Sequence, residues 1–383
     1  MEGIEQSNAE PTPVEETNTT RSTATFEKID LQLLGGPAEA ARGNGNSKMD
    51  LSVRPEAAQT QNLFGMIKQG PSTNAFTKMR ATEEKGLTVD QITGDATITS
   101  GNYILSIPKY AYLTGGLKTS AYQLFDAITL ALTENGAKSS TVVIPLSEYM
   151  ESRGLKNRKE AKEQAKADME ILRTASIRCE ERKNKEFESY GFVNIADSGE
   201  VKRNGDIVFT FGTTYYKTLK SYPVMPYSLQ ALKADNKRNP NTYYLSRKID
   251  ELKNMNIGKK NEDIISVRTL LSAAPYLPSY DAVMASDRAV NRRIIEPFER
   301  DMDALSDTRV WTYCHSNGAP LTDEETETMS YDIFKDLLVK IDWKQYPDQT
   351  ARLERKAERI AQAEQAKGTR PKGRNPSKKK TTK

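Results

Sequence analysis

Histidine and cysteine are nearly missing from this 383-residue chain, which has one histidine, His315, and two cysteines, Cys179 and Cys314. Two cysteines so far apart give no disulfide framework, and a reducing compartment, the cytoplasm, is the expected location. One histidine and two cysteines fall short of a zinc cluster. They also exclude the paired-histidine metal site with which rolling-circle nickases and relaxases activate a tyrosine. No metal or other cofactor is therefore expected. Long hydrophobic runs are lacking as well. No apolar stretch nears the length of a membrane span and no apolar N-terminal h-region is present, so neither secretion nor a membrane partner is expected. Hydrophobic residues make up 37% of the chain and the mean hydropathy is −0.68. That is little for one compact enzyme and fits small domains with unfolded ends.

The motifs of catalysis are missing too. Gly115-Gly116-Leu117-Lys118-Thr119 looks like a phosphate loop, but such a loop needs glycine directly before the lysine, where this chain has Leu117. A turn leading into a helix accounts for it. No nucleophile elbow is present. Tyrosine is abundant, at 17 residues, yet no Arg/His constellation accompanies any of them. The carboxylates lie among lysines and arginines at helical spacings, the pattern of solvated pairs. The expectation is a protein that is not an enzyme.

What the chain does have is unevenly placed charge. The formal net charge is only +4, but residues 1–62 carry 10 acidic against 5 basic side chains, and residues 352–383 carry 12 basic against 3 acidic. A basic tail of this kind calls for a polyanionic partner. Residues 1–95 are dominated by Glu, Thr, Pro, Asn, Gly and Gln and are expected to be disordered. One short apolar patch, from Asn62 to Ile67, interrupts them; it either docks on a partner or packs back on its own domain. Residues 347–383 form the basic tail.

Between these ends the periodicity predicts an α+β protein of two tandem winged-helix domains, residues 96–228 and 229–346. In the first, a strand is expected at Asn102 to Pro108 and a helix from Thr119, with Tyr122, Phe125 and Leu132 on one face and Asn135-Gly136 as its stop. A β-branched strand, Thr141 to Ile144, ends at Pro145. A short helix follows, and then a longer one from Arg158 with Ala161, Ala165, Met169 and Leu172 inward. Strands are expected at Ser176 to Arg182, Phe187 to Ile195 and Asp206 to Phe211, with Ser198-Gly199 and Asn204-Gly205 as turns. From Thr119 the order is helix, strand, helix, helix, β-hairpin, that of a helix-turn-helix with a β wing. After a Pro/Tyr-rich connector, Ser221 to Ser228, the order begins again at Asn241 and ends on strands at Arg309 to Cys314 and Leu337 to Trp343.

The stretch Ser286 to Leu305 organises the second unit. Val290, Ile294, Phe298, Met302 and Leu305 recur as one buried helical stripe. Arg288, Arg292 and Glu299 face the other way, flanked by Asn291 and Arg293, and Ser286 or Asp287 can cap the start. Pro297 should kink the helix by removing a backbone donor. Basic side chains in the first turns of a helix are what a major groove receives; the structural alternative is an ordinary solvated face. In the first unit Arg158, Lys159, Lys162 and Lys166 occupy the matching helix. Arg182 and Lys183, with Arg178 and Lys185, sit in the expected wing region, together with Lys202 and Arg203. These ten helix and wing residues, Arg158, Lys159, Lys162, Lys166, Arg182, Lys183, Arg288, Asn291, Arg292 and Arg293, are the candidate contacts to double-stranded DNA, and the tail is a non-specific phosphate-binding arm.

These residues carry a resemblance. Arg292-Arg293-Ile294-Ile295-Glu296-Pro297-Phe298-Glu299-Arg300-Asp301-Met302 resembles the second-domain helix of plasmid replication initiators of the tandem winged-helix, iteron-binding type: a basic start, an aliphatic pair, a proline, then a charged and apolar run. Ile144-Pro145-Leu146-Ser147-Glu148-Tyr149 with the Arg158 helix is similar to the first-domain counterpart. The match covers Asn102 to Trp343 in element order. It implies an initiator that binds repeated origin sites, helps open the duplex and recruits host replication proteins, with homodimers that repress and monomers that initiate. The long N-terminal segment and the insert from Ser316 to Met329 depart from the family pattern. Two other functions remain open: a winged-helix transcriptional regulator of a plasmid or phage, and a tyrosine-dependent nickase or recombinase.

Overall fold

The structure is a computed structural model that describes residues 63–70, 73, 87–100, 103–108, 118–183, 186–286, 288–327, 329–350, 353, 354 and 358. It is a mixed α+β molecule built on small sheets. Helix α1 (Thr119–Glu134) is the first unit's central element: Tyr122, Leu124, Phe125, Ile128, Leu130 and Leu132 are all buried, on every side of it. Strand β5 (Thr141–Ile144), helix α2 (Leu146–Arg153) and helix α3 (Arg158–Thr174) follow. Then come strands β6 (Ser176–Lys183), β7 (Glu186–Asn194), β8 (Ala196–Val201) and β9 (Ile207–Phe211).

The hairpin directly after α3 differs from expectation. Strand β6 pairs with β7 on one side and with β4 (Tyr103–Ile107) on the other. These strands belong to a five-stranded sheet with β2 (Leu87–Val89) and β3 (Ala96–Ser100), in the order β2-β3-β4-β6-β7. The sheet beside α3 is a separate one, in the order β5-β9-β8. Its strand β8 was expected only as a turn. Residues Ala-Asp-Ser-Gly-Glu-Val are half-buried at the two ends and exposed between, so no period of two marks them. Gly199 is there for close approach: a Cβ would come within 2.7 Å of Met169 Sδ on α3.

Helix α4 (Thr213–Ser221) leads into strand β10 (Val224–Ser228) and the single turn α5 (Gln230–Lys233). Strand β10 pairs antiparallel with β1 (Phe64–Lys68), Phe64 opposite Ser228 and Lys68 opposite Val224. Strands β1 and β2 thus lie inside the stretch whose composition led to an expectation of disorder. The apolar patch within it packs back on its own chain: Ile67 is buried in the first unit's core, and a ladder to the connector satisfies its backbone.

The second unit repeats the order. Helix α6 (Thr242–Asn256), strand β11 (Ile264–Ser266), helix α7 (Val267–Ala273) and the extra helix α8 (Tyr280–Ser286) come first. A π-helical turn, Asn291–Ile295, runs into α9 (Glu296–Asp303). Strands β12 (Arg309–Cys314) and β13 (Leu338–Trp343) close a sheet in the order β11-β13-β12. Between them lie α10 (Asp323–Glu327) and α11 (Tyr331–Phe334). In both three-stranded sheets the last strand is in the middle.

The helix expected to run unbroken from Ser286 is divided. Arg288 takes a left-handed conformation, φ 56°, and its N–H closes α8 on Val283 O at 3.1 Å. Val283, Val290, Ile294 and Phe298 keep spacings of seven and four across the break, so apolar periodicity alone does not reveal it. The turn is π-helical next to Pro297, which has no N–H for the carbonyl four residues back. Glu296 N–H instead reaches Asn291 O, five residues back. The inward stripe holds, with Ile294, Phe298, Met302 and Leu305 buried.

Candidate nucleic-acid interface

Helix α3 starts at Asn157, whose side chain accepts from Lys159 N and Glu160 N. That cap satisfies two of the helix's orphan donors and sets where its first turn begins. Of the four candidate contact residues on α3, two serve the hairpin beside it. Arg158 Nη2 donates to Asn204 O at 2.5 Å and Lys162 Nζ to Arg203 O at 2.7 Å. Both carbonyls belong to the β8–β9 turn, so these cations clamp that turn to the start of α3. Lys166 pairs with Glu163 at 3.0 Å. Lys159 is exposed on the outward face.

The clamped turn is itself basic, with Lys202 and Arg203 both exposed. Gly205 stands at φ 96°, a conformation that disfavours any side chain, and a Cβ there would come within 2.4 Å of Leu146 Cδ2 and 2.7 Å of Lys162 Cε. Lys159, Lys202 and Arg203 therefore lie on or beside one α3–turn corner. Arg182 and Lys183 do not join them. They are at the far end of β6, in register with Phe187 and Glu186 across the hairpin of the five-stranded sheet. The expectation that they belong to the wing beside α3 is corrected by the pairing of that hairpin with β4.

In the second unit, Asn291 and Arg292 are exposed on the first turn of the π segment, while Ile294 and Ile295 are buried. Arg293 Nη1 donates to Ser286 Oγ at 2.7 Å, which ties the start of this helix to the end of α8. Arg288 is exposed in the connection before the helix, not on it. Glu299, expected to face outward, is half-buried and accepts from Tyr313 Oη at 3.1 Å; burial raises its carboxyl above the ordinary range. The insert between β12 and β13 carries Asp323, Glu324, Glu325 and Glu327 and packs back through Tyr331, whose ring stacks on Tyr280 at 4.4 Å.

Sequence reasoning missed the buried polar side chains behind these surfaces. Asp168 on α3 is buried and accepts from Ser120 Oγ of α1 at 2.7 Å; burial pushes its carboxyl up to about 6. Asp126 on α1 accepts from Tyr227 Oη and Tyr243 Oη at 2.9 Å each and lies 3.3 Å from Arg247 of α6. A signal for Asp126 existed. Apolar residues surround it in the sequence of α1 on every helical face, so its carboxylate had to be buried and paired.

Among the described residues no group of three or more His, Cys, Asp and Glu side chains is arranged to hold a metal, and no helix is long and apolar enough to cross a membrane. His315 Nε2 is 3.4 Å from Glu325 Oε1 at the surface.

No family model and no curated protein matches the chain. Among solved structures it is similar to a selenomethionine derivative of domains 2 and 3 of RctB, at 10% identity and a TM-score of 0.36, over 70% of this chain and 98% of that one. A second crystal structure of these domains, RctB-155-483, is similar at 9% identity and a TM-score of 0.31, over 67% and 90%. Both likenesses are too distant to carry an argument.

Proposed function

We propose that the chain is a non-enzymatic, sequence-specific binder of double-stranded DNA: the replication initiator of a plasmid or related mobile element, acting in the cytoplasm. It binds repeated origin sequences through two winged helices and promotes opening of the duplex. One observation carries the reading. With the β6–β7 hairpin and helices α8, α10 and α11 set aside, helix, strand, helix, helix and two strands occur twice, each time with a sheet ordered first, third, second strand and with a polar or basic outward turn at the start of the second unit's π segment and of α3. That is the arrangement by which a winged helix offers a reading helix to a major groove.

In the first unit Lys159 faces the groove, while Arg158 and Lys162 hold the wing so that Lys202 and Arg203 meet the backbone. In the second, Asn291 and Arg292 reach base edges or phosphates, and Arg288 and Arg293 support them at the helix start. The second wing carries acidic residues, so phosphate neutralisation falls to the first wing and the basic tail. Affinity should drop steeply with salt, because each neutralised phosphate releases counterions. Host replication proteins and a second copy of the chain are the further partners that the family resemblance implies.

The test is footprinting on DNA flanking the gene. Protection of several direct repeats, with strand opening beside them, is the expected result. Protection of a single promoter palindrome without opening would replace the initiator by a transcriptional regulator. A covalent protein–DNA adduct would replace it by a tyrosine-dependent nickase or recombinase.

A further inference from the structure

Helix α6 belongs to the cores of both repeated units: Tyr243 and Tyr244 lie in the first, Leu245 and Ile249 in the second. The helix opens the second unit, yet Tyr243 and Tyr244 pack against Tyr122 of α1 at ring distances of 6.3 and 6.0 Å. Strand β1 adds a second tie. Its Ile67 is in the first core, while Phe64 packs on Trp343 and Tyr346 of the second unit, at 6.2 and 5.3 Å.

Buried polar contacts run across α1 and α6 from one outward helix to the other. Asp168 of α3 accepts from Ser120 of α1 at 2.7 Å. Asp126, also on α1, faces Arg247 of α6 at 3.3 Å, both fully enclosed. Asn241, at the start of α6, donates from its Nδ2 to Asp301 Oδ2 of α9 at 2.8 Å, and Thr242 Oγ1 donates to Asp301 O at 2.7 Å. A parallel link joins Asp250 of α6 to Arg309 at 3.1 Å, just after α9. Apolar surfaces can slide past one another, but buried paired charges and hydrogen bonds tolerate only the geometry that pairs them.

We propose that α6 is a fixed bridge between the two outward helices, so that the chain accepts DNA only where its two contact boxes stand at one spacing. Asp126, Arg247, Asn241 and Asp301 act as positioning residues. The spacing claim rests on the DNA-binding reading above; the bridge does not.

Two measurements separate them. Spin labels at Ala167→Cys on α3 and Glu296→Cys on α9, in a Cys179→Ser, Cys314→Ala background, report the distance between the helices by pulsed electron resonance. One narrow distance, the same with and without DNA, is expected; a broad or two-peaked distribution would overturn the bridge whatever the protein binds. The full chain is also used to enrich duplexes from a randomised library, and one to five base pairs are then inserted between the two protected boxes. Binding should weaken about a hundredfold at altered spacings, the advantage of simultaneous engagement being lost. Tolerance of every insertion, or enrichment of a single box, would overturn fixed spacing. Failure to enrich any duplex would remove the DNA reading and the spacing claim together, while the distance measurement still decides the bridge. The Asp126→Asn, Arg247→Met double variant removes both charges at once. It should broaden the distance and relax spacing while leaving affinity for a single box unchanged. A distance that stays narrow in this variant would overturn the role given to that ion pair.

Discussion

Arg292 and Ile294 stand two residues apart on opposite faces of the same turn, one exposed and the other 1% exposed. Arg292→Ala should weaken binding to the cognate duplex by roughly 1–3 kcal/mol, the worth of one good base contact, with no change in melting. Ile294→Ala should cost about 2–5 kcal/mol of stability by opening a cavity. Melting curves and duplex titrations on both variants test the contrast; early melting of Arg292→Ala with a normal Ile294→Ala would reverse the faces. Asp168 supplies a pH signature. Burial, opposed by Ser120, Arg153 and Lys118, pushes its carboxyl up to about 6, whereas an unfolded aspartate titrates at about 3.9. Between those values the folded state holds a proton that the unfolded state lacks, so this contribution is full below about pH 4 and is lost as pH rises through 6. Asp168→Asn should flatten that decline in denaturation curves from acid to neutral pH. Identical declines in the two proteins would contradict it.

At the scale of elements, the α3–turn corner depends on two small residues. Asn157→Ala should cost about 1 kcal/mol by leaving two helix donors uncapped. Gly205→Ala should cost roughly 1–3 kcal/mol, because a Cβ must displace Leu146 or Lys162. It should also weaken DNA binding, since Arg158 and Lys162 then lose the carbonyls they grip. Denaturation and duplex titration of each variant check this; Gly205→Ala with unchanged stability and binding would show that the turn is not held as described. Much of this was legible in sequence. The stripes of α3 and of Ile294 to Leu305, the Asn204-Gly205 turn and both final strands of the second unit follow from period and turn chemistry. Three features did not. Strand β8 has no alternation because the position that meets α3 is Gly199, where the close approach to Met169 leaves no room for an apolar side chain. The break at Arg288 is bridged by an apolar spacing that fits an unbroken helix equally well. The pairing of β6 with β4, which removes Arg182 and Lys183 from the α3 corner, is a long-range choice that local pattern does not encode.

At the scale of the whole molecule, α6 contributes to both cores and carries buried polar contacts to each unit, so the two units should unfold together. Calorimetry of the full chain should show a single transition; two transitions separated by many degrees would contradict the coupling through α6. The role proposed for the basic tail, affinity without sequence, belongs to this scale too. Removing residues 367–383 should weaken binding to all duplexes alike and flatten the salt slope, as titrations at several salt concentrations would show. A loss confined to the cognate site would contradict that role.

The central claim is sequence-specific recognition of duplex DNA, and the most direct measurement is a competition titration at physiological salt between origin-repeat duplex and random duplex of equal length. The account predicts a preference of about a thousandfold or more, abolished by combining Lys159→Ala with Arg292→Ala. Equal affinity for the two duplexes, or a preference untouched by that pair of substitutions, would contradict it.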